Sequence, residues 1–434
     1  MSLNKTDSPV KEYQTGGWKA HWILIICTLL HAINYMDRAV LTVVIQPIKA
    51  ELGLSDGDIG LAITVFTLSV AIFSMPILFL VDRWSRKKMI FLMAVGWSIF
   101  TYATGLARNF IGLLLPRMFV GVGEAGFSGG GIAMITAAYP KEKHGTMLGI
   151  FNIGITIGLA LGMIIGGIIS VQLGWRNAFF IFAIPGVILG ICALFLKDYK
   201  TVRDIDAGSG GVGFFRSICT LLKIPTLRWF FLGYGLLLIM GQAQMYWTVP
   251  LVMREFTIKE DAAGLILSIG APLAVAGALS GGWFSDLWQK KNRNGRLLLP
   301  GWTALLSAIF LAMGLLVLHL NWVIAAVLAV LYGFSFFVGI PALSAVSQEV
   351  IPPAHKGLSW GMTIFCMYMF GGAWAPWAVG GISDALGGGA GGLTLALGIS
   401  CIGGLAAAFC FFRGSKSYPS DVDKVKDAVL VADK

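Results

Sequence analysis

Long apolar runs separated by short polar turns dominate the chain, and within the runs neither face is polar. Twelve runs stand out: His21–Pro47, Ile59–Val81, Met89–Ala107, Phe110–Tyr139, Gly145–Leu173, Ala178–Leu196, Trp229–Met253, Ala262–Phe284, Leu297–His319, Trp322–Ala345, Leu358–Ile382 and Gly392–Phe412. A hydrocarbon core of about 30 Å is crossed by roughly 20 residues of helix at about 1.5 Å each, so each run predicts one transmembrane helix. A closed β-barrel also satisfies its backbone in lipid, but its strands alternate apolar and polar positions over about ten residues, and these runs do not. The pattern predicts an all-α membrane protein of twelve transmembrane helices in two pseudo-symmetric six-helix bundles.

Composition supports lipid as the solvent. Of the 434 residues 57% are apolar and 12% charged, and the mean hydropathy is +0.80, more apolar surface than a water-soluble core buries. The 56 glycines suit close helix contact within a membrane. The polar first twenty residues lead into a span too long for a signal-peptide core, without a small-residue cleavage site.

The net charge of +10 raises a nucleic-acid partner, and its placement argues against one. With both termini cytoplasmic, Lys49, Arg108, Arg176, Arg254 and Lys259 lie outside, Arg38 and Arg117 lie within spans, and the remaining 25 of the 32 Lys and Arg lie on the cytoplasmic side. That bias is the positive-inside rule. The six cysteines, Cys27, Cys192, Cys219, Cys366, Cys401 and Cys410, stand singly in apolar stretches, which predicts neither a metal site nor a disulfide framework.

The expected organisation is a cytoplasmic N-terminal segment (1–20), a six-helix bundle (21–196), a cytoplasmic linker (197–227), a second bundle (228–413) and a cytoplasmic tail (414–434). The linker contains a flexible 207–213 stretch. Its Phe214, Phe215, Ile218, Leu221 and Leu222 alternate with Arg216 and Lys223, the spacing of a short helix on the membrane face or of an ordinary solvated linker. The bundles repeat one another. Asp82 and the basic residues after it correspond to Asp286 and the basic run to Arg296, and Pro140, Gly145 and Gly149 correspond to Pro352, Gly357 and Gly361.

These motifs resemble the major facilitator superfamily over essentially all twelve spans. Asp82, Arg83, Arg86 and Lys87 resemble its loop 2–3 signature, Arg117 with Gly121 its span-four signature, and Gly158, Gly162, Gly166 and Gly167 its span-five glycine motif. Leu78 stands where the first motif usually has Gly, and Met163 where the span-five motif of antiporters usually has Pro, which weakens a drug-antiporter assignment. Finer features are most like the Spinster-like branch: Asn34, Tyr35, Met36, Asp37 and Arg38; the Gly121–Gly126 stretch around Glu124; Gly174 to Arg176; and Pro376, Gly380, Ser383 and Asp384. The anion:cation symporter branch is the neighbour.

Four ionisable residues fall inside spans: Asp37 and Arg38 in the first, Arg117 and Glu124 in the fourth. Each charge at a helix centre costs about 2.5–3.5 kcal/mol on insertion scales, so all four are expected to face a cavity and one another. Asp37 and Glu124 reach similar depth, and Arg117 lies seven residues from Glu124, on the same helix face. The set is neutral with both acids ionised and positive when either is protonated. Protonation of Glu124 or Asp37 then frees Arg117 or Arg38 for an anionic head group. The resemblance implies transport-critical roles for these four positions. A static interhelical ion-pair network is the alternative, and Arg38 is as consistent with facing lipid.

The second bundle has few buried charges. Its cavity candidates are Gln242, Gln244, Tyr246, Trp247, Tyr332, Tyr368, Trp374 and Trp377, an amphipathic wall suited to an apolar tail and to the lysolipid-like substrates associated with the family; packing or an interfacial belt is the alternative for each aromatic. Gating is assigned to Asp82, Arg83, Arg86 and Asp286, where a carboxylate caps a facing helix N-terminus. Gly121, Gly123 and Gly126 match GxGxxG but lie inside an apolar span with no preceding strand, and no phosphate-binding GxxxxGK[ST] occurs. Among five scattered histidines only His31 approaches Asp37.

The sequence therefore predicts a secondary active transporter, not an enzyme, without cofactor or metal. It is expected to be monomeric in the bacterial inner membrane, with protons, membrane lipid and a small-molecule or lysolipid anion as partners and no nucleic acid. The alternatives are an anion:cation symporter for a sugar acid or aromatic carboxylate, and an uncoupled scramblase or membrane receptor.

Overall fold

The computed structural model describes residues 17–140, 143–198, 221–351 and 356–432. Among these no strand occurs, and the helices are α1 (Trp18–Leu52), α2 (Asp56–Arg83), α3 (Arg86–Gly105), α4 (Phe110–Glu124), α5 (Phe127–Ala138), α6 (His144–Leu173) and α7 (Trp175–Ala193) in the first half. The second half holds α8 (Pro225–Phe256), α9 (Glu260–Ser268), α10 (Ala271–Lys291), α11 (Gly295–Val317), α12 (Trp322–Glu349), α13 (Lys356–Met367), α14 (Ala375–Ala385) and α15 (Ala390–Ser415), and α16 (Tyr418–Ala432) follows. Among the described residues eleven spans are long and apolar enough to cross a membrane. The twelfth expected span is α3, which carries Arg86, Lys87 and Lys88 in its first turn. Of the predicted membrane-face helix, Phe214, Phe215, Arg216 and Ile218 lie outside the described residues.

Local chemistry sets the turns. Gly53 ends α1 in the left-handed region at φ 65°, where a Cβ is disfavoured. Two residues later Ser55 starts α2 in a capping box with Asp58. Asn109 and Asn321 cap α4 and α12.

Three spans are interrupted. The fourth breaks between Glu124 and Phe127, the eighth between Ser268 and Ala271, and the eleventh at a π turn over Tyr368–Gly372. Apolar periodicity reads through such breaks because the residues flanking them remain lipid-compatible.

Helix pairing repeats between the halves. α1 packs on α6, α2 on α4 and α3 on α7; correspondingly α10 packs on α12 and α11 on α15. The span-five glycines have a direct use in this packing: a Cβ at Gly158 would lie 2.2 Å from the Ala32 oxygen, and one at Gly162 2.8 Å from that of Met36. Only glycine allows α6 to approach α1 so closely.

The halves meet at the end opposite the termini, called here the far end. α2 packs on α14 and α6 on α9, and the main apolar core runs from α1, α2 and α7 without interruption into α8, α14 and α15.

The tail expected at 414–434 is largely helical. Asp421 accepts from Thr226 N and Oγ1 at 3.1 and 2.8 Å, capping α8. Tyr418 donates to Glu349, and Glu349 also pairs with Arg296. Burial pushes the Tyr418 phenol up to about 12, so it remains a donor at neutral pH.

Candidate functional site

The four intramembrane charges form two crossed pairs. Arg117 donates from Nη1 to Asp37 Oδ2 at 2.8 Å, and Thr101 Oγ1 donates to Asp37 Oδ1 at 2.8 Å. Arg38 donates from Nε and Nη2 to Glu124 Oε2 at 2.9 and 2.7 Å. The sequence put Arg117 and Glu124 on one face, and the structure shows why they are not partners: α1 places one acid and one guanidinium side by side, so each pairs across to α4. Arg38 points inward to Glu124, which settles the orientation the sequence left open.

Phe66 of α2 touches both guanidinium groups, with Arg117 4.8 Å and Arg38 5.3 Å from its ring centre; Arg38 also lies 4.9 Å from the ring of Tyr35. The ring adds cation–π attraction to each. Sequence reading missed Phe66 and Thr101 because nothing in an apolar span marks one Phe or Thr among many.

The set is deeply buried and incompletely satisfied. Arg117 is 0% exposed, yet its Nε and Nη2 have no partner, and neither does Glu124 Oε1. In arginine those two nitrogens form the fork that grips a carboxylate through both oxygens. Asn34, one turn before Asp37, leaves its Nδ2 without a partner, as Gln244 does its Nε2 and Gln242 its Oε1. Buried polar atoms are rarely left so in a finished core.

Tyr246 and Tyr368 of the second half are electrostatic neighbours of Arg38, so the structure brings them to the charge pairs. Trp247 is fully buried with its indole N–H donated to Pro376 O at 3.0 Å, a packing contact that seats α14. The ring of Tyr332 lies tilted 5.9 Å from that of Phe336 on the same helix, α12. Trp374 is exposed and donates to Met369 O at 3.1 Å within the π turn, and Trp377 is also exposed. His31 stacks on Phe151 at 4.0 Å and faces its carbonyl at 3.2 Å, an arrangement of helix packing with no link to Asp37.

Of the expected gating residues, the side chains of Asp82 and Arg83 lie outside the described residues. Arg86 is buried. Asp286 receives Arg296 Nη2 at 2.7 Å, and through Arg296, Glu349 and Tyr418 it braces α10, α11, α12 and α16 within one half. Among the described residues no group of three metal-ligating side chains occurs.

Comparison with known proteins adds ancestry to this geometry. The profile of the Major Facilitator Superfamily matches residues 27–376. The hexuronate transporter of Bacillus subtilis is 26% identical over 88% of this chain and 93% of its own. Protein spinster homolog 1 of Xenopus tropicalis is 25% identical over 84% of this chain and 73% of its own. The inward-facing, unoccupied crystal structure of a bacterial homologue of the human lysosomal transporter Spinster superposes with a TM-score of 0.79 at 23% identity, covering 94% of this chain and 99% of that one.

Proposed function

The chain belongs to the Major Facilitator Superfamily, and on that premise we propose that it carries an organic anion by alternating access, with proton binding at Asp37 and Glu124 driving the cycle. It is a multi-pass membrane transporter related to sugar-acid transporters and to Spinster, not an enzyme. The observation that carries the proposal is the empty fork of Arg117: two guanidinium N–H groups, buried and unpartnered, beside a carboxylate that already holds the third nitrogen.

Protonating Asp37 removes the charge opposing Arg117, and the fork then meets a substrate carboxylate with the set still balanced. Loss of the proton restores Asp37 as a competitor and releases the anion. Glu124 performs the same exchange on Arg38 in the second pair.

Two substrate types fit an organic anion. Unpartnered amides of Asn34, Gln242 and Gln244 favour a hydroxylated acid, whose OH groups satisfy them. The exposed Phe370, Trp374 and Trp377 favour an amphiphile such as a lysolipid, whose tail they would cover. Purified protein in liposomes loaded with galacturonate or glucarate separates the two. Saturable counterflow of the acid, stimulated by a pH gradient and unaffected by lysolipid, is expected; competition by lysolipid alone selects the amphiphile, and no exchange of either overturns the proposal. With basic residues cytoplasmic by the positive-inside rule, the far end is the outer face and the conformation described is sealed to the outside.

A further inference from the structure

A second charged network lies far from the pairs, where the two halves close on each other. Asp56, the first residue of α2, is 0% exposed. Its carboxylate pairs with Lys49 of its own half and takes both terminal nitrogens of Arg254 from α8, at 2.7 Å (Nη1 to Oδ2) and 2.5 Å (Nη2 to Oδ1). Ser383 Oγ adds a fourth bond at 2.8 Å. Arg254 Nη1 also donates to Gly388 O at 2.9 Å.

Asp384 acts on the same helix end through the backbone. The capping box uses the N–H of Asp58 and of Ser55, which leaves the amides of Asp56 and Gly57 without an acceptor inside α2. Asp384 supplies it from the other half: Asp56 N donates to Oδ1 at 3.0 Å and Gly57 N to Oδ2 at 2.6 Å. Glycines let the backbones meet there, since a Cβ at Gly380 would lie 2.3 Å from Asp56 O and one at Gly60 2.4 Å from Pro376 O.

We propose that Asp384 and Arg254, closing on Asp56 and the start of α2, form the latch that holds the two halves together at the far end. Two acids and two bases balance, so the closed network carries no net charge, while the N-terminal helix dipole adds attraction for Asp384. Separation leaves two backbone N–H groups and the Asp384 carboxylate without partners, and Arg254 with the Gly388 carbonyl alone, until water reaches them, so the far end opens and hydrates in one step. This latch joins the halves, whereas the Asp286 network joins helices within one.

Hydrogen exchange of the full-length protein in nanodiscs reads the latch at a distance. Asp384→Asn and, separately, Arg254→Gln are expected to raise exchange about tenfold across 163–168 and 260–266, the α6 and α9 interface to which neither side chain is hydrogen-bonded, while 304–311 and 396–404 in the second-half core stay protected. Acceleration confined to 53–60 and 380–389 would show a local cap and overturn the latch. Loss of protection throughout, in both variants, would make these residues folding determinants and overturn it equally. The inference needs only that the far end opens; counterflow in liposomes tests the transport proposal independently.

Discussion

A carboxylate and a guanidinium inside a membrane each cost about 2.5–3.5 kcal/mol to insert, and four such groups stay buried only because each finds an opposite charge within 3 Å. Their crossed arrangement gives every acid one cation, so a proton added to either acid leaves one arginine in excess. Removing one partner of a buried pair typically costs about 3–5 kcal/mol, which is why Glu124→Gln, nearly equal in shape and still an acceptor for Arg38, is the informative change. Uptake of the anion driven by an inward proton gradient is expected to fall to its no-gradient level in Glu124→Gln, with protein yield intact; an unaltered response to pH refutes the proton role. The four candidates were legible because charge in an apolar run is rare. The partners of each were not, because pairing depends on how α1 and α4 rotate about their axes.

Elements meet here mainly through glycine. Spacing showed that α6 bears a small-residue stripe, and the structure shows that Gly158 and Gly162 face α1. On α14, adjacent glycines have opposite roles: a Cβ at Gly380 would meet Asp56 O at 2.3 Å, while one at Gly381 meets nothing within 4 Å. Overpacking costs about 1–3 kcal/mol, here charged only to the sealed conformation. Gly380→Ala is therefore expected to slow counterflow by about tenfold and Gly381→Ala to leave it unchanged; equal effects would show that α14 moves without regard to this contact. The π turn over Tyr368–Gly372 separates the sealed α14 from α13. Hydropathy did not reveal this break, since both sides of it are equally apolar.

For the whole molecule, the distribution of lysine and arginine predicts which end faces the cytoplasm, with the far end outside. A membrane-impermeant maleimide applied to intact cells is expected to label a cysteine replacing Leu320, 84% exposed between α11 and α12, and to spare one replacing Ser420 on α16 until the membrane is opened. The reverse pattern would invert the topology. The docked α16 was read from sequence as a tail because a short helix carrying Asp421, Asp423, Lys424, Lys426 and Asp427 gives no membrane signal; Asp421 and Tyr418 attach it through polar contacts with α8 and α12.

The sequence by itself determined the solvent, the placement of the spans, the repeat of the halves and the four charges inside the spans, because each is a local property of composition or spacing. Only tertiary structure decided the crossed pairing, the phenylalanine in contact with both arginines, the unpartnered fork of Arg117 and the charged network at the far end. Arg254 and Asp56 are 198 residues apart, and Asp384 lies 327 residues from the Gly57 amide it accepts. No spacing rule spans such separations: these contacts exist because two bundles that share one continuous apolar core bring their α2 and α14 ends together.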